Sequence, residues 1–286
     1  MVNMNRLSTK DRSQIIGLMI EGMSIRAISR TTGASKNTIV KLLRDAGRAC
    51  FDYQDKALRN LPCQRLQLDE IWSFVYAKAK NVPAPMPDRK DVGDVWTWTA
   101  LDADSKLIVS WMVGDRTTHT ARAFVGDLTE RLAHRVQITT DGHVPYPRAV
   151  DEAFGIDVDY AMSDKIYATP TDAEKRYSPR VCVGAKRKAI VGHPDQKHIS
   201  TSFAERQNST MRMSLRRFTR LTNAFSKRLV NHVYALAIYF MHYNFVRIHQ
   251  TTRVTPAMAA NVTEKLWSIE DIIRVVDEWE VATKNV

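Results

Sequence analysis

Cysteine is scarce: Cys50, Cys63 and Cys182 are the only three in 286 residues, and they form no CxxC pair. That excludes a disulfide framework and a four-ligand zinc site built from them. Long apolar runs are missing too. The longest, Val233 to Met241, has nine residues, far short of the ~20 that span a bilayer. No transmembrane helix is expected. Lys10 and Arg12 are not followed by an apolar stretch with a small-residue cleavage site, so no secretory signal is read and the expected location is cytoplasmic. Internal repeats and low-complexity tracts are absent, and with 44% hydrophobic and 26% charged residues the chain is not mainly disordered. Acid is the scarcest commodity locally: residues 201–256 hold nine Lys or Arg and one acid, Glu205.

Positive charge is what the chain has in excess. Against 31 Asp plus Glu stand 42 Lys plus Arg, a formal net charge of +11 with a pI near 9.6. Such a balance favours a polyanionic partner. A single core rarely grows past roughly 250 residues, so one principal domain with a smaller appendage is expected.

The appendage is residues 1–48. Ser8 or Thr9 opens one helix, which Glu21-Gly22 stops; a second begins at Ser24 and ends before Gly33; a third runs from Ser35 to Gly47. Three short helices with a glycine turn before the last read as a helix-turn-helix, whose third helix offers Ser35, Lys36, Asn37 and Thr38 to DNA. Residues 49–64 read as a linker closed by Asn60-Leu61-Pro62. Three strands follow, over Gln67 to Val75, Val95 to Leu101 and Leu107 to Val113, then a helix from Thr118, a strand over Val136 to Thr140, a helix from about Pro147 and a short strand over Ile156 to Tyr160. This order is a mixed α/β arrangement, with Trp72, Trp96, Trp98 and Trp111 read as core. Residues 164–200, broken by Pro and Gly and carrying Lys186-Arg187-Lys188, read as a basic insertion. The principal domain is therefore 65–225, and helices over 226–286 pack on it, the last one acidic and amphipathic.

Three acids stand out. Asp69 lies in the first strand among core residues, Asp141 directly follows the fourth, and Glu205 begins a basic helix on which Asn208, Ser209 and Arg212 share its face. Each has an ordinary reading taken alone: a solvent-facing strand carboxylate, a turn aspartate before Gly142, an ion-pair partner of Arg206 or Arg212. Together they match a site in which three carboxylates from separate elements hold divalent ions. His143, two residues beyond Asp141, is either near the site or structural, and Tyr243, Asn244, Arg247 and His249 either touch DNA or pack as a polar helix end.

Lys197-His198-Ile199-Ser200-Thr201-Ser202-Phe203-Ala204-Glu205-Arg206-Gln207-Asn208, the segment Arg212 to Ser226, His242-Tyr243-Asn244-Phe245-Val246-Arg247-Ile248-His249 and Thr255-Pro256-Ala257-Met258-Ala259 together resemble bacterial insertion-sequence transposases of the insertion-sequence-one type. These are DDE enzymes with an RNase H-like fold, and the resemblance covers the chain beyond the linker. It implies Asp69, Asp141 and Glu205 as catalytic, metal-binding triad; Mg²⁺ as cofactor, with Mn²⁺ substituting; Arg212 and Arg216 on DNA; and double-stranded transposon ends and target as partners of a homo-oligomer at the nucleoid. The zinc motif that often precedes the family's helix-turn-helix is missing. Glu174 competes with Glu205 for third ligand but sits between Pro170 and Pro179, whereas Glu205 has a regular helix behind it. The rival functions are a metal-dependent nuclease without strand transfer and a silent DNA-binding regulator.

Overall fold

The computed structural model describes residues 6–83, 89, 91–168, 182–219 and 224–284. It opens with α1 (Thr9–Ile20), α2 (Ile25–Thr32) and α3 (Lys36–Ala57). Each starts on a serine whose hydroxyl accepts a backbone N–H three residues on: Ser8 from Asp11, Ser24 from Ala27 and Ser35 from Thr38. Each cap satisfies a donor that the helix cannot. Gly33, at φ +73°, closes α2 in the left-handed region that glycine tolerates without strain. Ile15, Ile16, Ile28 and Ile39 are fully buried.

The third helix differs from the expectation in length. It passes through Gly47 and continues to Ala57, so the first nine residues of the expected linker are helical. Gly47 is a crossing point and not a stop: a Cβ there would lie 2.7 Å from Tyr234 Cα, on α7 (Leu229–Phe245). The N-terminal helices are accordingly built into the body. Helix α9 (Ile269–Lys284) packs on α1 and α3, with Arg12 on Asp277 at 2.5 Å, Arg6 on Asp277 and Glu280, and Trp279 Nε1 donating to Asp52 at 2.8 Å. One buried cluster runs from Ile15 to Val276. Gly47→Ala should therefore destabilise the protein by about 1–3 kcal/mol, overpacking outweighing the ~1 kcal/mol by which alanine favours a helix. A urea midpoint that stays put or rises would contradict the close crossing.

The sheet has six described strands, β1 (Arg65–Val75), β2 (Gly93–Asp102), β3 (Ile108–Gly114), β4 (Gln137–Thr140), β5 (Asp159–Tyr167) and β6 (Cys182–Val191), in the order β3-β2-β1-β4-β5-β6. β1, β2 and β3 form an antiparallel meander, β4 joins β1 and β5 joins β4 in parallel, and β6 returns antiparallel to β5. α4 (Thr118–Thr129) and α5 (Pro145–Phe154) cover one face, where Trp98, Phe124 and Tyr146 are fully buried. α6 (Ser202–Ser214) and α7 cover the other, over Ile71, Leu101, Ile108, Met211 and Phe240. With both faces covered, β1 is buried at every residue but Arg65, Asp69 and Trp72, and its polar Gln67, Glu70 and Ser73 are buried with the rest. A short helix α8 (Pro256–Ala259) links α7 to α9.

Residues 164–200 depart most from the expectation. They hold the end of β5 and all ten residues of β6. Every residue from Cys182 to Ala189 is exposed, so no buried face imposes the alternation that marks a strand in sequence. Asn244 and Tyr243 have structural roles: the fully buried Asn244 side chain donates to Ile108 O and accepts from Ile108 N, both at 3.0 Å, and Tyr243 OH donates to Lys106 O at 3.1 Å. They pin α7 to the start of β3.

Candidate active site

Parallel pairing of β1 with β4 sets Gln67 opposite Thr139. Two residues further along each strand are Asp69, in the middle of β1, and Asp141, just past the last residue of β4. Adjacent strands lie ~4.8 Å apart, so the register alone makes these carboxylates neighbours. Oxygens of Asp69, Glu70 and Asp141 lie within 4.8 Å of one another. α6 packs on β1 and puts Glu205, in its first turn, into the same cleft. Asn208, Ser209 and Arg212 line the cleft with it, so the shared helix face exists. The cleft measures about 640 Å³, and Arg116, His143, Asp164, Lys165 and Tyr167 are also in its wall.

Hydrogen bonds hold each acid. Asp69 Oδ1 accepts from the Glu70 N–H and Oδ2 from Asn208 Nδ2, both at 2.8 Å. Asp141 Oδ1 accepts from the His143 N–H at 3.0 Å. Glu205 accepts from Thr201 Oγ1 at 2.7 Å and pairs with Lys165 Nζ. Glu70, almost fully buried, is tied through one oxygen to Arg116 at 2.7 Å and through the other to Tyr146 OH at 3.0 Å. Asp164 crowds the chain beside these acids: a Cβ on Gly142 would overlap its carboxylate, whose Cγ lies 3.0 Å away.

So many acids in a half-buried cleft repel. The Asp69 carboxyl is pushed up from 3.8 to about 7, by burial first and then by the charges of Glu70, Asp141 and Glu205. Burial also raises Asp141, against the His143 N–H and Arg116, with Asp164 and Glu205 adding to the rise. Glu70 is raised by burial and Asp141, against Arg116. His143 is pushed down to about 4 by burial and Arg116; it packs on Trp98 and Tyr146 as a neutral ring. Hard oxygen donors this close, raised in pKa by burial and by one another, are a donor set that fits a divalent cation. The buried Asn208 Oδ1, next to the Asp69 contact, has no hydrogen-bond partner.

The expected DNA contacts fall in separate places. Ser35, Lys36, Asn37 and Thr38 are all exposed at the start of α3; the Ser35 and Thr38 hydroxyls are 2.9 Å apart and bonded to each other. Arg212 is at the cleft, whereas Arg216 lies against the α1–α2 turn, its Cγ 3.3 Å from where a Gly22 Cβ would be. Glu174 lies outside the described residues. Sequence reasoning missed Glu70, Arg116, Asp164 and Lys165. The Asp69-Glu70 pair was the available signal, but strand neighbours point to opposite faces, which hides Glu70 from any count of carboxylates on one face.

No known protein-family model matches the chain, and no curated protein matches it either. Among solved structures, an intasome of simian T-cell lymphotropic virus in complex with PP2A regulatory subunit B56 gamma is 13% identical, with 87% of this chain and 74% of that one covered and a TM-score of 0.37. A piggyBac transposase synaptic complex with hairpin DNA is 12% identical over 95% of this chain and 71% of that one, TM-score 0.36. The Mos1 transposase paired-end complex with left transposon end is 9% identical over 55% and 59%, TM-score 0.23. At TM-scores this low, function has to be read from the cleft itself.

Proposed function

We propose that the chain is a DNA transposase of the DDE class, cleaving DNA strands at the ends of a mobile element and joining the freed 3′ ends to a target. The observation that carries this reading is the register that sets Asp69 beside Asp141 on parallel neighbouring strands, with Glu205 facing the same cleft. An antiparallel meander joined to two parallel strands is also the sheet that the RNase H-like resemblance implies.

Asp69, Asp141 and Glu205 would hold Mg²⁺, or Mn²⁺ in its place. Bound there, such ions activate an attacking oxygen and stabilise the leaving one. The remaining work falls to the chain's own groups. Asn208 fixes the orientation of the Asp69 carboxylate. Arg212, two turns along α6 from Glu205, faces the cleft where a phosphodiester would enter. Its planar fork suits a phosphate, and positioning is most of what in-line attack on phosphorus requires. Incubating the purified protein with duplex DNA carrying candidate ends and Mg²⁺ tests the reading. Nicked and joined products are expected; nicks without joining would leave a nuclease, and full activity in excess chelator would end the metal mechanism.

End recognition is assigned to α2 and α3 as a helix-turn-helix, and a homo-oligomer would bring two ends together. Lys36→Ala and Asn37→Ala should weaken end binding, and the asparagine change should relax preference at one base pair by about 1–3 kcal/mol. The full-length chain is the proper vehicle, because cutting at residue 49 would sever α3 within its packed length. Competition binding with mutated ends is the measurement; unchanged preference in both variants would remove α3 from recognition.

A further inference from the structure

From the cleft, β5 and β6 run outward as a two-stranded arm. Its root is buried at Tyr160, Ala161 and Ser163, while Asp164 to Tyr167 and Cys182 to Ala189 are exposed. Eight exposed residues of β6 span about 26 Å, the rise of roughly eight base pairs. Lys186, Arg187 and Lys188 stand in succession on this strand, so cations project from both faces. Among the described residues, none of the three makes a side-chain hydrogen bond or ion pair, whereas the arginines on other surfaces, such as Arg59, Arg122 and Arg135, are engaged by carboxylates. Cross-strand pairing sets Arg187 opposite Ser163 and Lys186 opposite Asp164. Ser163, Asp164 and Lys165 line the cleft, so the root of the arm is continuous with its wall.

We propose that this arm is a DNA-backbone guide, gripping the phosphates of duplex that leads out of the cleft through Lys186, Arg187 and Lys188. The proposal rests on the transposase reading for its DNA and adds to it the path the duplex takes. Charge decides between the two occupants open to such a strand. β6 is the last described strand of the sheet, and an open edge can accept a strand from a second copy; three cations in a row disfavour that addition and suit a polyanion.

The test uses the full-length protein in chelator, so that binding is read without cleavage, with a 30-base-pair duplex followed by fluorescence anisotropy across a salt series. K186A/R187A/K188A should lower the slope of log affinity against log salt by about 2 to 3, at ~0.9 per lost phosphate contact, and weaken binding at least ~10-fold at low salt. K56A/K80A/K284A removes the same charge from exposed sites elsewhere and should change affinity under ~3-fold. An unchanged slope in the arm variant, an equal loss in the control, or an arm variant that alters oligomeric mass in sedimentation instead of DNA binding would each overturn the proposal. A failed transposase reading shows separately, as absence of metal-dependent cleavage by the unmodified protein.

Discussion

Asp69→Asn and Asp141→Asn are each expected to lower metal-dependent strand cleavage by ~10³-fold or more, an increase of at least about 4 kcal/mol in the barrier, while duplex affinity stays within about threefold. The cleft's acids touch no phosphate directly in the proposed arrangement; Arg212, the arm and α3 do that. Melting temperature gives a second readout. Unmodified protein should be stabilised by Mg²⁺, and both variants should lose that shift. Retained cleavage in either variant would sink the catalytic assignment.

The Asp69 change has a further consequence that is independent of turnover. In metal-free protein its carboxyl titrates at about 7 when folded and at 3.8 as an ordinary aspartate. A raised folded value means that Asp69 contributes its full stability below pH ~4 and loses it as the pH climbs through 7. Asp69→Asn removes that loss, so at pH 8 the metal-free variant should be more stable than the parent by about 2–4 kcal/mol, and near pH 4 the two should converge. Metal competes with the same proton, so the Mg²⁺-induced rise in melting temperature should be larger at pH 8 than at pH 6. Denaturant titrations of both proteins at the two pH extremes check the sign; a variant less stable at pH 8 would show that the carboxylate is not under repulsion.

Local rules carried the sequence reading wherever one residue does one job. Ser24 and Ser35 look like caps in sequence and are caps; of the four tryptophans read as core, Trp98 is fully buried, whereas Trp72, Trp96 and Trp111 are half-buried. Asp69 and Asp141 were visible because an acid inside an apolar strand, and another at a strand's carboxyl end, stand out against their surroundings. Gly47 was misleading because the same absence of Cβ serves a helix stop and a close helix crossing, and only the presence of Tyr234 distinguishes them. The β5–β6 arm was illegible for the opposite reason: it buries nothing along most of its length, and patterning records only burial. The Glu70–Arg116–Tyr146 cluster joins β1, the segment after β3, and α5, a convergence that no spacing in the chain announces.

That cluster bears on which glutamate would serve as third ligand in the proposed site. Glu70 is nearer the two aspartates by the reach of its oxygens, yet both of its oxygens are already committed, one to a guanidinium and one to a buried phenol. Recruiting it to a cation would leave the buried Tyr146 OH without its acceptor, at a cost of about 1–3 kcal/mol, while Arg116, 40% exposed, would turn to solvent. Glu205 is held differently. Its side chain is about one-third exposed and its partners are a lysine that itself lines the cleft and a threonine hydroxyl, both of which solvent can replace when the carboxylate turns. Glu205→Gln should therefore abolish cleavage while leaving the folding midpoint within ~0.5 kcal/mol. Glu70→Gln should retain Mg²⁺ affinity within a few-fold and destabilise the protein by less than about 2 kcal/mol, because the cost of leaving the buried Tyr146 OH without its carboxylate acceptor is partly offset by relief of the burial and repulsion that raise the Glu70 carboxyl. Glu70 then acts as a positioning residue, keeping Arg116 over Trp96, 4.7 Å from the ring centre, and Tyr146 against His143. Measuring Mg²⁺ affinity and the urea midpoint for both variants separates the roles. If Glu70→Gln loses metal and Glu205→Gln keeps both metal and cleavage, the ligand set is Asp69, Glu70 and Asp141, and α6 serves only to present Asn208 and Arg212.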